Sequence, residues 1–172
     1  MIVRARVKLR KKHLADARND YKWQTDVELA RLDAQPLVTV FFSQFMACYA
    51  SQLRELAPKK RFFAVETSDG SHIGNCTYYN VDRKKGEAEV GIMIGEKDYW
   101  GRGYGSEALQ ALVKHIFRRT KLDRLYLKTL DWNLRAQRCF AKCGFIPCGK
   151  MNRDSYNFAI MELSRSQWRK QQ

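Results

Sequence analysis

Gly101, Gly103 and Gly105 occupy alternate positions in the run Tyr99-Trp-Gly-Arg-Gly-Tyr-Gly-Ser106, with the basic Arg102 between the first two. Glycine adopts left-handed dihedrals without strain and lets a ligand come close to the main chain. Beyond Ser106, apolar side chains at Ala108, Leu109, Leu112, Val113, Ile116 and Phe117 follow the spacing of a helix with one buried stripe. A helix that opens just past a glycine turn presents free N–H groups with the helix dipole behind them, which suits an anion. The chemistry predicted is a phosphate or diphosphate seated on the main-chain amides of Arg102, Gly103, Tyr104, Gly105 and Ser106, with a charge-assisted bond from Arg102. Two common phosphate motifs do not fit. No Gly-Lys-Ser/Thr follows the glycines, and their spacing is not the G-x-G-x-x-G that continues to a ribose-binding acid about 20 residues on.

Such a turn needs rigid elements on both sides. Before it, Glu87 to Ile94 alternates, with Ala88, Val90, Ile92 and Ile94 on one face and Glu87, Glu89, Gly91 and Met93 on the other, the period of a strand. Further strands are predicted at Val3–Leu9, Arg61–Glu66, His72–Tyr79, Leu122–Leu130, Ile146–Lys150 and Tyr156–Leu163, with a charged hairpin turn at residues 81–86. Helices are predicted from His13 to Thr25, with Leu14, Ala17, Tyr21 and Trp23 inward, and from Ser43 as N-cap to Leu56, closed by Pro58. A third follows at Asn133–Lys142, ended by Gly144. The order is not the strict alternation of a doubly wound fold. It implies a mixed α/β domain around one sheet, single over residues 1–172 with its core at about 3–165.

There are 32 Lys and Arg against 18 Asp and Glu, a net charge of +14, gathered in short clumps such as Arg10-Lys11-Lys12 and Arg83-Lys84-Lys85. That excess favours polyanionic partners such as a phosphorylated cofactor, RNA or the ribosome surface, but no helix-turn-helix, zinc-finger or RNA-recognition pattern accompanies it. The five cysteines are odd in number and form no Cys-x-x-Cys pair, so reduced thiols and no metal site are expected. No apolar run reaches the roughly 20 residues of a membrane span, and the opening residues lack the pattern of a secretory leader. A cytoplasmic protein without membrane association is the expectation.

The segment Glu87 to Leu109, E-A-E-V-G-I-M-I-G-E-K-D-Y-W-G-R-G-Y-G-S-E-A-L, resembles the acetyl-CoA-binding segment of the GNAT superfamily of N-acetyltransferases. The family signature is Gln/Arg-x-x-Gly-x-Gly/Ala; its second half stands here as Gly103-Tyr104-Gly105, with Trp100 at the Gln/Arg position. A second block, Asn133-Leu-Arg-Ala-Gln-Arg-Cys-Phe-Ala-Lys-Cys-Gly-Phe145, is similar to the family's N-x-x-[S/A]-x-x-x-[Y/F]-x-x-x-G-F helix. The variant Trp-Gly-Arg-Gly-Tyr-Gly-Ser-Glu-Ala is typical of the branch that includes ribosomal-protein N-terminal acetyltransferases and spermidine acetyltransferases.

The resemblance implies the GNAT fold: a mostly antiparallel sheet with helices on both faces and two parallel strands that splay apart, here Glu87–Ile94 and Leu122–Leu130. It implies that acetyl-CoA, a cosubstrate, lies in the opening. Main-chain groups at Ile92, Met93 and Ile94 would pair with its pantetheine arm, residues Gly101 to Ser106 would hold its diphosphate, Asn133 would bond the arm or the substrate side, and Phe140 would pack beside the thioester. Glu89 is the implied base for deprotonating the attacking amine. Two departures stand out. Lys128 occupies a position where some N-terminal acetyltransferases carry a glutamate, and Phe140 replaces a tyrosine proposed to protonate the leaving thiolate. Tyr126 or a water could take that role, and an acetyl-cysteine route through Cys76 or Cys143 is an alternative.

The implied acceptor is an amine: a protein N-terminus or a small molecule. Asp16, Asp20, Asp26, Glu28 and Asp33 could line a cleft for a cationic substrate, or could simply face solvent. Ribosome or other polyanion association and a homodimer are the further partners that the charge and the resemblance suggest. The rival readings are a non-catalytic acyl-CoA-binding or ribosome-associated module and an RNA-binding protein.

Overall fold

The computed structural model describes residues 5–55 and 60–171. Along the chain run β1 (Val7–Lys11), a 3-10 turn (Leu14–Asp16), α1 (Ala17–Gln24), α2 (Val27–Leu32), α3 (Phe42–Leu53), β2 (Arg61–Thr67), β3 (His72–Asp82) and β4 (Glu87–Ile94). After a 3-10 turn at Lys97–Tyr99 come α4 (Tyr104–Arg119), β5 (Arg124–Leu130), α5 (Leu134–Lys142), β6 (Ile146–Arg153), β7 (Tyr156–Ser164) and α6 (Arg165–Lys170). Among the described residues, seven strands form one sheet in the order β1-β2-β3-β4-β5-β7-β6. The neighbours pair antiparallel except β4 and β5. The expected mixed sheet with one parallel pair is the observed one.

β4 and β5 pair only as Glu87 with Arg124, Ala88 with Leu125 and Glu89 with Tyr126. Past Glu89, β4 stays bonded to β3, while β5 stays bonded to β7 through Leu130. The two strands therefore part in the middle of the sheet. The anchor on one face is α4, whose six predicted stripe residues are all buried. They pack with Val65, Ile73, Cys76, Ala88, Val90, Leu125, Leu127 and Leu163 from the strands. Burying a leucine or isoleucine side chain contributes roughly 1.5–3 kcal/mol, so this stripe fixes α4, and hence its N-terminus, to the sheet.

The opposite face carries α1, held by polar contacts as well as packing. The Asn75 side chain on β3 donates to Asp20 Oδ1 at 2.7 Å, and Lys12 Nζ pairs with Asp20 Oδ2 at 2.6 Å. Trp23, 1% exposed, packs edge-on against His72 and covers Gly95, where a Cβ would lie 2.1 Å from the indole.

Several expectations need correction. The predicted first strand begins later, at Val7, and its first residues, up to Arg4, lie outside the described residues. The helix expected at His13–Thr25 opens as a 3-10 turn, and its inward face is Ala17, Asp20 and Trp23, while Leu14 is exposed. Asp16 and Asp20 go inside because Arg10 and Lys12 can neutralise them there. Ser43 is not the N-cap of α3; Phe41 is, and the buried residue of that helix is Tyr49. Leu56 and Pro58 lie outside the described residues. Helices α2 and α6 were not expected.

Candidate active site

The glycine turn has the conformation its composition demands. Gly101 and Gly103 have φ of +71° and +86°, and Gly103 is the N-cap of α4. Ser106, expected to open the helix, already lies in its first turn. Among the described residues, the amides of Gly101, Arg102, Gly103, Tyr104, Gly105 and Ser106 donate to no protein acceptor. Six consecutive donors at a helix N-terminus make an anion cradle.

The turn is braced from behind. Arg6 Nη1 donates to the Arg102 carbonyl at 3.0 Å, Arg6 Nε donates to Glu107 Oε2 at 2.9 Å, and the guanidinium lies over the Tyr104 ring at 4.7 Å. Trp100 braces the other end: its Nε1 donates to the Ile94 carbonyl at 2.6 Å, tying the turn to the end of β4. The position that departs from the family signature therefore has its own structural task.

A cavity of about 390 Å³ opens between the turn, β4, α5 and the C-terminal end of α2. Ile92, Met93, Ile94, Gly101, Gly103, Gly105, Ser106, Asn133 and Phe140, all singled out from the sequence, line it together. The side chains of Arg102 and Tyr104 do not. Arg102 Nη1 donates to the Asp98 carbonyl at 3.2 Å, and the Tyr104 ring packs edge-on against Tyr99. Three cations absent from the sequence reading, Arg135, Arg138 and Lys142, all on α5, line the cavity instead. Their spacing of three and four residues, which puts them on one helical face, was the available signal. Asn133 caps α5, its Oδ1 accepting from the Ala136 amide at 3.2 Å.

Glu89 sits at the last paired position before the strands part and is 4% exposed. It is outside the cavity lining. Tyr79 Oη donates to its Oε1 at 2.9 Å, and Asn80 Nδ2 and Lys128 Nζ meet its Oε2 at 3.0 and 3.1 Å. Lys128, which departs from the glutamate of related enzymes, thus neutralises Glu89. Burial and the nearby Glu89 charge push the Tyr79 phenol up, so it stays a proton donor at neutral pH.

The remaining candidates separate clearly. Cys76 and Cys143 are buried outside the cavity lining, and burial raises the Cys76 thiol, so neither suits an acetyl-cysteine route. Tyr126 is also outside the lining, and burial raises its phenol. Phe140 lines the cavity and carries no proton to give. Among the described residues no cluster of three or more His, Cys, Asp or Glu could hold a metal, and no helix is long and apolar enough to cross a membrane.

Residues 6–146 match the family model described as an acetyltransferase (GNAT) domain. The chain belongs to the GNAT family. It is a GNAT-type N-acetyltransferase, with acetyl-CoA as cosubstrate. Among curated relatives, an uncharacterized N-acetyltransferase p20 of Bacillus licheniformis is 29% identical over 124 residues, 72% of this chain and 69% of that protein. A probable spermine N(1)-acetyltransferase of Bacillus subtilis subsp. natto is 28% identical over 100 residues, 55% of this chain and 66% of that protein. The fold is that of spermidine N-acetyltransferase from Vibrio cholerae, solved in complex with CoA and spermine. That likeness has a TM-score of 0.83 at 18% identity and covers 96% of this chain and 99% of that chain. The cradle fits the cosubstrate of the family: unpaired main-chain donors for a diphosphate, basic side chains beside them, and a strand edge along which an extended arm can lie.

Proposed function

We propose that the protein moves the acetyl group of acetyl-CoA directly to a primary amine, on a small molecule or a protein N-terminus. The observation that carries this reading is the run of unpaired amides from Gly101 to Ser106 beside the edge that β4 frees where it leaves β5. The thioester supplies an acetyl group to a nucleophile. The protein has to hold the arm, bring up an uncharged amine and take a proton from it.

The first task falls to main-chain groups of Ile92, Met93 and Ile94, to the cradle, and to Arg135, Arg138 and Lys142. A primary amine with a pKa near 10.4, or an α-amine near 8, arrives mainly protonated. Glu89 takes the proton in our reading. It does so in company with Tyr79, whose hydroxyl is bonded to Glu89 Oε1, through water that reaches the pair from the cavity. This route suits a carboxylate that is buried behind the cavity and already bonded to the tyrosine. Phe140 leaves no side-chain acid beside the thioester; a CoA thiol has a pKa near that of cysteine, about 8.5, and can depart as the thiolate.

The test is calorimetry with acetyl-CoA, followed by a screen of primary amines for thiol release, with Glu89→Gln as the control. Binding of acetyl-CoA by both forms, with turnover that falls on the substitution, supports transfer. Binding without turnover on any amine supports a non-catalytic acyl-CoA module. Affinity for RNA that is steeply salt-dependent and indifferent to CoA supports the nucleic-acid reading.

A further inference from the structure

Five carboxylates were candidates for contact with a cationic acceptor, and the structure disposes of four. Asp16 is paired with Arg10 at 2.8 Å and Asp20 with Lys12 at 2.6 Å, all inside the fold or at its edge. Asp26 caps α2 through the Leu29 amide at 3.0 Å and pairs with Lys97 at 2.9 Å. Glu28 pairs with the same lysine at 2.7 Å. The fifth, Asp33, follows the last residue of α2 and, among the described residues, makes no ion pair or side-chain hydrogen bond. Among the described residues it is also the only carboxylate that lines the cavity.

The cavity is therefore polarised. Its cations, Arg135, Arg138 and Lys142, all come from α5; among the described residues its one anion, Asp33, stands just past α2, with Leu29 and Leu32 beside it and Met93 and Phe140 in the same lining. The α2 wall is tied to the α5 side by Arg31, whose guanidinium lies 4.9 Å from the centroid of the Trp132 ring. We propose that Asp33 receives the ammonium group of the acceptor, and that the acceptor is a primary amine on an apolar carbon skeleton that carries one positive charge. One free carboxylate matches one cation. A polyamine would bring further charges for which the described lining offers no second carboxylate. The inference rests on the amine-transfer reading above and names its acceptor class.

Asp33 is reachable from solvent, yet the surrounding cavity walls disfavour its charged form and push the carboxyl up to about 6, against the opposing field of Lys60. The charged and titratable groups around it are Lys60, whose Nζ lies 4.9 Å from the Tyr79 ring, Tyr79 with Glu89 and Lys128 behind it, the three bases of α5, and Cys139, whose thiol the bond with Cys143 brings down to about 6. Lysines, arginines and a buried tyrosine do not change charge between pH 5 and 7. A loss of ammonium binding as pH falls through about 6 that Asp33→Asn abolishes reports Asp33 and not Cys139.

The experiment is calorimetric titration of n-hexylamine into the full chain saturated with coenzyme A, alongside n-hexanol and spermidine. Wild type is expected to prefer hexylamine to both. Asp33→Asn is expected to weaken hexylamine binding about tenfold, the worth of one charge-assisted contact. Asp33→Glu retains most of the affinity, and acetyl-CoA binding is unchanged in both variants. The inference is overturned if Asp33→Asn binds hexylamine as wild type does, if wild type takes hexanol or spermidine at least as tightly, or if hexylamine does not bind. Failure of acetyl-CoA itself to bind would instead strike the amine-transfer reading.

Discussion

The guanidinium carbon of Arg135 lies 3.8 Å from the centroid of the Trp100 indole, whose Nε1 is bonded to the carbonyl of Ile94. One tryptophan thus links the end of β4, the glycine turn and the first turn of α5. A cation held over an indole gains about 0.5–2 kcal/mol and is fixed in place before any ligand arrives. Arg135→Ala should raise the dissociation constant of acetyl-CoA about tenfold, through the loss of one charge-assisted contact, with little change in unfolding midpoint. Trp100→Phe keeps a ring but loses the N–H, and should lower both affinity and midpoint. Calorimetry and thermal unfolding separate the two patterns.

Gly103 has φ of +86°, and a Cβ added there would lie 3.1 Å from Arg6 Nη2. Gly103→Ala should cost about 1–2 kcal/mol of stability from the left-handed backbone alone and should weaken acetyl-CoA by tilting the cradle. Gly105→Ala is the control. Its Cβ would meet Cys139 Sγ and Ile94 Cγ1 at 3.6 Å, ordinary contact distances, so its stability in urea should match wild type.

Glu89→Gln should lower kcat about a hundredfold or more while leaving acetyl-CoA affinity in place, as for loss of a general base. Tyr79→Phe should move kcat in the same direction, because it removes the hydrogen bond that orients Glu89 Oε1. Full kcat for Glu89→Gln across the pH range on a validated amine would remove Glu89 from the mechanism.

The Asp16 carboxyl is 3% exposed. Burial alone would raise its pKa, but the bonds from Arg10 and the His13 amide outweigh this and hold it at about 2. A carboxyl whose pKa is depressed on folding adds stability above its unfolded value, near 3.9, and loses it as pH falls through the folded value. Asp16→Asn should therefore cost about 2 kcal/mol at pH 7. The gap to wild type should narrow from about pH 4 and close below about pH 2. Urea unfolding across that range measures it.

What the sequence disclosed most fully was β4 and the stripe of α4, where apolar residues recur at a clean period and tertiary packing agrees with local preference. It was silent on α2, whose six residues from Val27 to Leu32 are too few to establish a period ahead of Pro36. It misjudged the inward face of α1, because Asp20 is buried by partners that include Asn75, 55 residues away. The amide cradle, Asn133 and Phe140 were legible as positions in a pattern. The direction of the Arg102 side chain was not, since that depends on where the Asp98 carbonyl lies. The basic lining of α5 and the isolation of Asp33 emerge only from where the fold places these side chains.

Only three residue pairs zip β4 to β5 before the strands diverge. An extended guest laid in that fork would serve as a temporary rung between two halves of the sheet, so occupancy and cohesion of the fold would rise together. Amide protons from Gly91 to Ile94 would exchange more slowly in the loaded protein, and departure of the spent guest would amount to unzipping a short ladder.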